Sequence, residues 1–259
     1  MAASKTAGEI LDAVVEDGRK ELQRANLGLA FSGFAAGLNI SFSAVAYAVV
    51  SALTGGPGLA AYAAYPIGFL IVILGRAQLF TENTVTPVTV VLTRLSSIPN
   101  MLRLWAVVLS FNLIGTGVFA AAVVYGDVLD PDALEVVLGE VSHKLDYGFW
   151  TVATKAVFGG WLVALVAWMV AASRDTISQA LFIYLLVFLI PAAGLTHCVA
   201  GSAEVLMSFF AGETPFADYV RDFLIPTTLG NIVGGVFLVT ILNFGQVVGS
   251  RKGSMNGDL

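Results

Sequence analysis

The sequence predicts an all-α membrane protein of six transmembrane helices, arranged as two inverted three-helix repeats with helices two and five broken. Three observations predict it. Of 259 residues, 57% are hydrophobic and 12% charged, about half the charged share, roughly 25%, of a soluble domain. Mean hydropathy is +0.84, and several apolar runs approach the ~20 residues that a helix needs to cross a bilayer. Two of those runs are interrupted by polar, helix-breaking sequence: Gln-Leu-Phe-Thr-Glu-Asn-Thr at 78–84 with Pro87 behind it, and Pro-Ala-Ala-Gly-Leu-Thr-His-Cys at 191–198. Irregular backbone at membrane depth is tolerated where it is buried in protein or lines a water-filled path. Two breaks at matching places in two halves point to a transport site.

Along the chain, residues 8–25 place Ile10, Leu11, Val14, Val15 and Leu22 at helical spacing among charges. That predicts an amphipathic helix, lying either on the membrane face or on the protein's own loops. The charged N-terminal segment is not expected to act as a signal peptide. Span one, 27–53, is rich in the small residues that let membrane helices approach. Span two starts near Tyr62, breaks, and resumes with Thr86 as N-cap and Pro87 as first helical residue, to about Leu95. Span three covers 99–125. The stretch 126–146 carries Asp127, Asp130, Asp132, Glu135 and Glu140 and is too polar to span. Span four runs 150–172. Span five starts near Ile177, breaks at 191–196 and is expected to resume through His197 to Phe210; span six covers 224–248. The chain divides into an amphipathic segment at 1–26, a six-span channel domain at 27–249 and a tail at 250–259.

Lys5, Arg19, Lys20, Arg24, Arg94, Arg103, Arg174, Arg251 and Lys252 fall on one side if both termini share it. The other side holds the acidic stretch and only Arg221 among acids after span five, so both termini are expected to be cytoplasmic. Span three carries Asn112-Leu-Ile-Gly115 and span six Asn231-Ile-Val-Gly234. With three spans in each half, the second half must be inverted in the membrane.

An ionisable group beside a break is a functional candidate by default, which singles out His197. Thr81 in the matching break either hydrogen-bonds it or simply caps the helix that follows. Cys198 excludes an internal disulfide and a multi-cysteine metal site. It is not expected to act as a nucleophile, since adjacent helical residues do not face each other. Lys144 and Lys155 flank the start of span four, as anion attractors or as snorkelling lysines. Arg76, Glu82 and Glu204 are expected to form a charge-compensating group around the breaks. No metal cluster, nucleotide loop or triad points to an enzyme, a cofactor or a nucleic-acid partner.

The stretch Arg-Ala-Gln-Leu79-Phe80-Thr81, the break Gly194-Leu-Thr-His197-Cys-Val-Ala, the run Trp161–Trp168 and Leu224-Ile-Pro226-Thr-Thr-Leu-Gly230-Asn231 resemble the formate/nitrite transporter family. The Thr-Glu-Asn-Thr after Leu79-Phe80 resembles its YfdC-like branch. The resemblance implies a homopentamer of aquaporin-like protomers, each with one pore, in a bacterial inner membrane. It implies Thr81 and His197 at the pore centre and Lys144 in the outer vestibule. Tyr65 and Ile190 would form the outer constriction, Phe69, Leu79 and Phe80 the inner one, and Asn231 would support the pore. The pattern departs from the family at Gln78 and Thr196, where acidic residues are usual, at Gly201 and Gly160, where asparagines are usual, and at Ile190, where an aromatic is usual. The function implied is passage of a small monovalent anion such as formate or nitrite with a proton, His197 acting as proton donor or as hydrogen-bond relay through Thr81. Channels for a neutral solute and a non-transporting membrane scaffold are the alternatives.

Overall fold

Helix follows helix through the whole computed structural model, which describes residues 4–256, with side chains only as far as Ser250 at the C-terminal end. The basic end at Arg251 and Lys252 therefore lies outside the described side chains, and the last part of the expected tail outside the described residues. Among the described residues there is no strand. Among the described residues, four helical stretches are long and apolar enough to cross a membrane: Asn26–Thr54, Ile98–Tyr125, Phe149–Ala172 and Phe216–Ser250. Shorter apolar helices, Leu59–Leu74, Thr176–Ala192 and Ala200–Phe210, fall where the sequence predicts broken spans.

Helix α1 (Ala7–Gln23) begins at a reciprocal cap. Thr6 Oγ1 accepts from the Glu9 amide at 3.2 Å, and the Glu9 carboxylate accepts from the Thr6 amide at 2.7 Å, which satisfies two otherwise orphan donors. Leu11, Val14, Gly18 and Leu22 are buried. A Cβ on Gly18 would lie 2.4 Å from the Thr86 carbonyl oxygen, so α1 seats directly on the helix that follows the first break. Of the two placements open to it, α1 takes the protein's own surface. Arg103 fastens its end, donating to the Leu22 carbonyl at 2.8 Å and to Asn26 Oδ1 at 2.6 Å.

The first span is two helices, α2 (Asn26–Ile40) and α3 (Phe42–Thr54), joined at Ser41. Ser41 Oγ donates back to the Gly37 carbonyl at 2.8 Å, a bond that bends helices. The bend makes room for Gly68, where a Cβ would come within 2.5 Å of the Ile40 carbonyl oxygen. Helices α4 (Leu59–Ala64) and α5 (Ile67–Leu74) form the outgoing half of span two, and α6 (Thr86–Leu92) the returning half. Val85, rather than Thr86, is the cap of α6, and Pro87 lies in its first turn, where its missing N–H forfeits no helical bond.

Helix α7 (Ile98–Tyr125) packs on α2, and α9 (Phe149–Ala172) packs in the same manner on α13 (Ile225–Val233). Both crossings are glycine contacts. A Cβ on Gly37 would lie 2.1 Å from the Asn112 carbonyl oxygen, and one on Gly160 2.4 Å from that of Asn231. At Gly160, where the family pattern has an asparagine, this contact leaves no room for a side chain. Gly201 likewise yields its space, here to the Phe223 ring, 2.4 Å from where its Cβ would be.

The acidic stretch folds as helix α8 (Pro131–Leu145), with Ala133, Val137 and Val141 buried against α3 and α11. Helix α10 (Thr176–Ala192) is capped by Asp175, which accepts from the Ser178 amide at 2.8 Å, and carries Pro191 in its last turn. Helix α11 (Ala200–Phe210) starts three residues beyond His197, so the helix does not resume through the histidine as expected. The final span strings together α12 (Phe216–Asp218), a π-helical segment Tyr219–Leu224, α13, a second π-helical segment Gly234–Ile241 and α14 (Leu242–Asn256). The second wide turn wraps the first break. Thr240 Oγ1 donates to the Thr84 carbonyl at 3.0 Å, and a Cβ on Gly235 would lie 1.9 Å from Thr84 Oγ1.

Candidate functional site

The two breaks are each held by one asparagine. Asn112 Oδ1 accepts from the Phe80 amide at 2.9 Å, while Nδ2 donates to the carbonyls of Gln78 at 2.9 Å and Gly33 at 2.8 Å. Asn231 Oδ1 accepts from the Cys198 amide at 2.8 Å, while Nδ2 donates to the carbonyls of Thr196 at 3.1 Å and Ala156 at 2.7 Å. Both side chains are fully buried. Each replaces the helical partners that a break removes. Asn231 is among the site residues expected from the sequence; Asn112 is not, although the shared Asn-x-x-Gly motif carries the signal.

Thr81 and His197, one from each break, meet with Oγ1 and Nε2 2.8 Å apart. Both are buried, at 0% and 1% exposure. The second ring nitrogen fixes the direction of that bond. The Ala200 amide at the start of α11 donates to His197 Nδ1 at 3.0 Å, so Nδ1 is an acceptor without a proton. A neutral imidazole then carries its proton on Nε2, and Nε2–H donates to Thr81 Oγ1. The threonine hydroxyl keeps its own hydrogen for another acceptor. Protonation of Nδ1 to give an imidazolium would break the Ala200 bond.

Aromatic rings continue the site on one side. Phe69 meets the His197 ring edge-on, with centroids 5.1 Å apart, and lies 6.0 Å from the Tyr65 ring. Phe80 packs edge-on against Trp105 at 5.6 Å, and Trp105 Nε1 donates to the Asn83 carbonyl at 2.8 Å. Tyr65, Phe69, Leu79, Phe80 and Ile190 are all buried.

A cavity lies toward each end of the paired breaks. At the α8 end, beside a separate surface cavity of about 320 Å³ between α8 and residues 213–222, lies a small one of about 30 Å³, lined by Tyr65, Ile190, Leu195, Lys144, Glu140 and Glu204 among others. Lys144 is ion-paired there with Glu204 and, at 4.0 Å, with Glu140. Glu140 also accepts from Tyr47 Oη at 2.9 Å. Burial opposes the Lys144 ammonium, but the Glu204 and Glu140 carboxylates outweigh it and hold the group above the ordinary lysine range. Lys155 sits at the edge of the same cavity, donating at 3.0 Å to the carbonyl of Gly194, a lining residue at the left-handed turn (φ 59°) that opens the second break.

The cavity at the α1 end is larger, about 410 Å³, and is lined by Val14, Lys20 and Glu21 of α1 and by Arg76, Gln78 and Glu82 of the first break, among others. The expected group of Arg76, Glu82 and Glu204 is therefore divided. Arg76 and Glu82 share one cavity, and Glu204 faces Lys144 in the other. The reason is geometric: Glu204 is seven residues past His197 in a helix that runs away from the break toward α8. Neither cavity is lined by Thr81 or His197.

Comparison with known proteins gives this arrangement a context. A family model described as formate/nitrite transporter matches residues 8–245. The chain is 35% identical over 237 residues to the inner membrane protein YfdC of Escherichia coli (strain K12), covering 90% of this chain and 76% of that one. It is 30% identical over 240 residues to a probable formate transporter of Methanothermobacter thermautotrophicus, covering 81% of this chain and 85% of that one. Among solved structures, a pentameric formate channel with formate bound superposes with a TM-score of 0.71 at 22% identity, covering 86% of this chain and 98% of that one. An FNT family ion channel superposes at 0.78 and 20% identity, covering 90% and 97%.

Proposed function

Because the chain belongs to the formate/nitrite transporter family, a family of channels and transporters and not of enzymes, we propose that it carries a small monovalent anion, formate, nitrite or a related weak acid, across a bacterial inner membrane together with a proton. The observation that carries this reading is the buried Thr81–His197 pair between two cavities. We read the path as running from the α8-end cavity past Tyr65 and Ile190, along the Thr81–His197 pair, past Phe69, Leu79 and Phe80, into the α1-end cavity. The apolar rings make a bare anion costly, since desolvating an unpaired charge is far more expensive than desolvating a neutral acid. Thr81, with His197 Nε2–H behind it, offers the polar contact that a neutral acid's oxygen requires.

The finer architecture rests on the paired features. The matched asparagines, glycine contacts and breaks support two inverted three-helix repeats and six spans, two of them broken. The one-sided Lys and Arg support cytoplasmic termini, which puts α1 and the larger cavity inside and α8 outside. The domain layout of 1–26, 27–249 and 250–259 follows from it. A homopentamer is supported by the pentameric relative.

One observation favours a second reading, a path for neutral solutes. Lys144 is not free to attract anions, because it is already ion-paired with Glu204 and Glu140. Uptake by liposomes separates the two. Vesicles holding the protein are expected to take up formate or nitrite faster than empty vesicles, increasingly so in acid, and to exclude urea and glycerol. Passage of urea or glycerol without either anion would overturn the anion reading.

A further inference from the structure

The proton that accompanies the anion needs a source, and His197 is a poor one, since its Nδ1 is taken by the Ala200 amide. Outside the central pair, two carboxyls lie on the proposed path next to a cation and a cavity, Glu82 with Arg76 at the α1 end and Glu204 with Lys144 at the α8 end, and Glu204 is the more buried and the one an entering anion meets first. Glu204 is 5% exposed, lines the α8-end cavity with Tyr65 and Ile190, and is paired with Lys144. Its carboxylate has the chemistry of the ligand proposed for the pore: it is held on Lys144, a cation that an incoming carboxylate would also seek. The cavity beside them has room for about one small group. An anion and the Glu204 carboxylate are therefore competitors for Lys144.

We propose that Glu204 is the proton donor to the permeating anion, and that Lys144 is the site at which the exchange occurs. The proposal rests on the anion-and-proton reading above and deepens it. In the resting state Lys144 holds the Glu204 carboxylate. A proton from the outer solution binds Glu204 and breaks the ion pair. The anion then takes the place of the carboxylate on Lys144. The O–H bond of Glu204 breaks and an O–H bond (for nitrite, likewise at oxygen) forms on the anion, giving a neutral acid and a Glu204 carboxylate. Lys144 recaptures that carboxylate, which drives the exchange forward, and the neutral acid passes Tyr65 and Ile190 toward Thr81. One proton and one anion cross per cycle, and the charge of the mouth is restored.

The surroundings of Glu204 suit this cycle. From α8 it faces Lys144 and Glu140. From α3, Tyr47 donates to Glu140, which leaves Glu140 as a second carboxylate that is already engaged. Tyr65 faces it from the joint between α4 and α5, Tyr147 acts on Lys144 from beyond α8, and Tyr219 on the far side of α11 is occupied by Ser202 at 2.9 Å. Lys144 stays charged throughout, because the two carboxylates outweigh the burial that opposes it.

The test is the pH dependence of formate entry into liposomes holding the parent protein, Glu204→Gln or Glu204→Asp, each corrected for empty vesicles. For the parent, entry is expected to climb toward about tenfold per pH unit, the limit for one proton. Glu204→Gln is expected to flatten the profile to within about twofold over the same range, and Glu204→Asp to restore the climb. An undiminished acid climb in Glu204→Gln would mean that the anion is protonated in bulk water, and would overturn the assignment. If the glutamine variant does not assemble, Glu204→Asp decides: a climb displaced along the pH axis from that of the parent supports Glu204 as donor, and a climb that coincides with that of the parent overturns it. A parent that passes no anion above the lipid rate overturns the transport reading itself, and the proposal with it. A parent that passes anions while Glu204→Gln keeps its climb overturns only the donor.

Discussion

Asn112 and Asn231 each close three backbone hydrogen bonds with one buried amide. Asn231→Leu would take from the Cys198 amide and the Thr196 carbonyl their partner at the break. A buried unsatisfied polar group costs about 1–3 kcal/mol, so the variant is expected to unfold at clearly lower temperature in detergent, and Asn112→Leu to match it. An unchanged melting temperature in either would contradict the role given to the asparagines. A different residue effect belongs to pH. The bonds from the Thr6 amide and hydroxyl hold the Glu9 carboxyl below its usual value of 4.5. A depressed carboxyl stabilises the fold above the unfolded value and loses that contribution as pH falls through the folded one. Amide protection over the first turn of α1, corrected for intrinsic exchange, is expected to hold at neutral pH and fall below 4.5. The Thr81–His197 contact was legible in the sequence because two breaks at matched places leave few partners for a buried histidine. The Nδ1 bond was not, because it depends on α11 starting at Ala200 and not at His197.

At the scale of elements, the crossings of α2 with α7 and of α9 with α13 are set by glycines with no room to spare. Gly37→Val and Gly160→Val are expected to abolish recovery of folded protein, since a Cβ would meet backbone at 2.1 and 2.4 Å. Gly139→Ala on α8, where a Cβ meets nothing within 4 Å, is expected to be tolerated; equal recovery of all three would contradict the close crossings. The broken spans were legible from polarity and proline. Helix α8 was not, since its apolar stripe of Ala133, Val137 and Val141 is diluted among acids. That omission hid the partner of Glu204. A carboxylate and a lysine sixty positions apart come together only once α8 lies across α11. The kink at Ser41 and the π-helical turns were also invisible, because each answers to a neighbour, Gly68 and Thr84, rather than to local sequence.

For the whole molecule, large apolar side chains remain uncovered on the single chain, among them Phe31 at 69%, Leu53 at 80% and Ile177 at 83% exposure. In a pentamer some would face lipid and some a neighbouring copy. Native mass spectrometry is expected to find five copies of the 27.1 kDa chain, and a monomer under gentle detergent would contradict the pentamer. The fold class followed from composition and the two breaks, whereas assembly rests on a relative and not on any residue pattern. Transport as proposed stands or falls on the path through the Thr81–His197 pair. Formate entry at acidic pH into liposomes holding the parent or the near-isosteric Thr81→Val tests it most directly. Losing one hydrogen bond worth about 1.4 kcal/mol is a factor of about ten, so the parent is expected to exceed empty vesicles and Thr81→Val to fall roughly tenfold while remaining folded. Equal formate rates in the two proteins, or a parent rate no higher than that of empty vesicles, would contradict it.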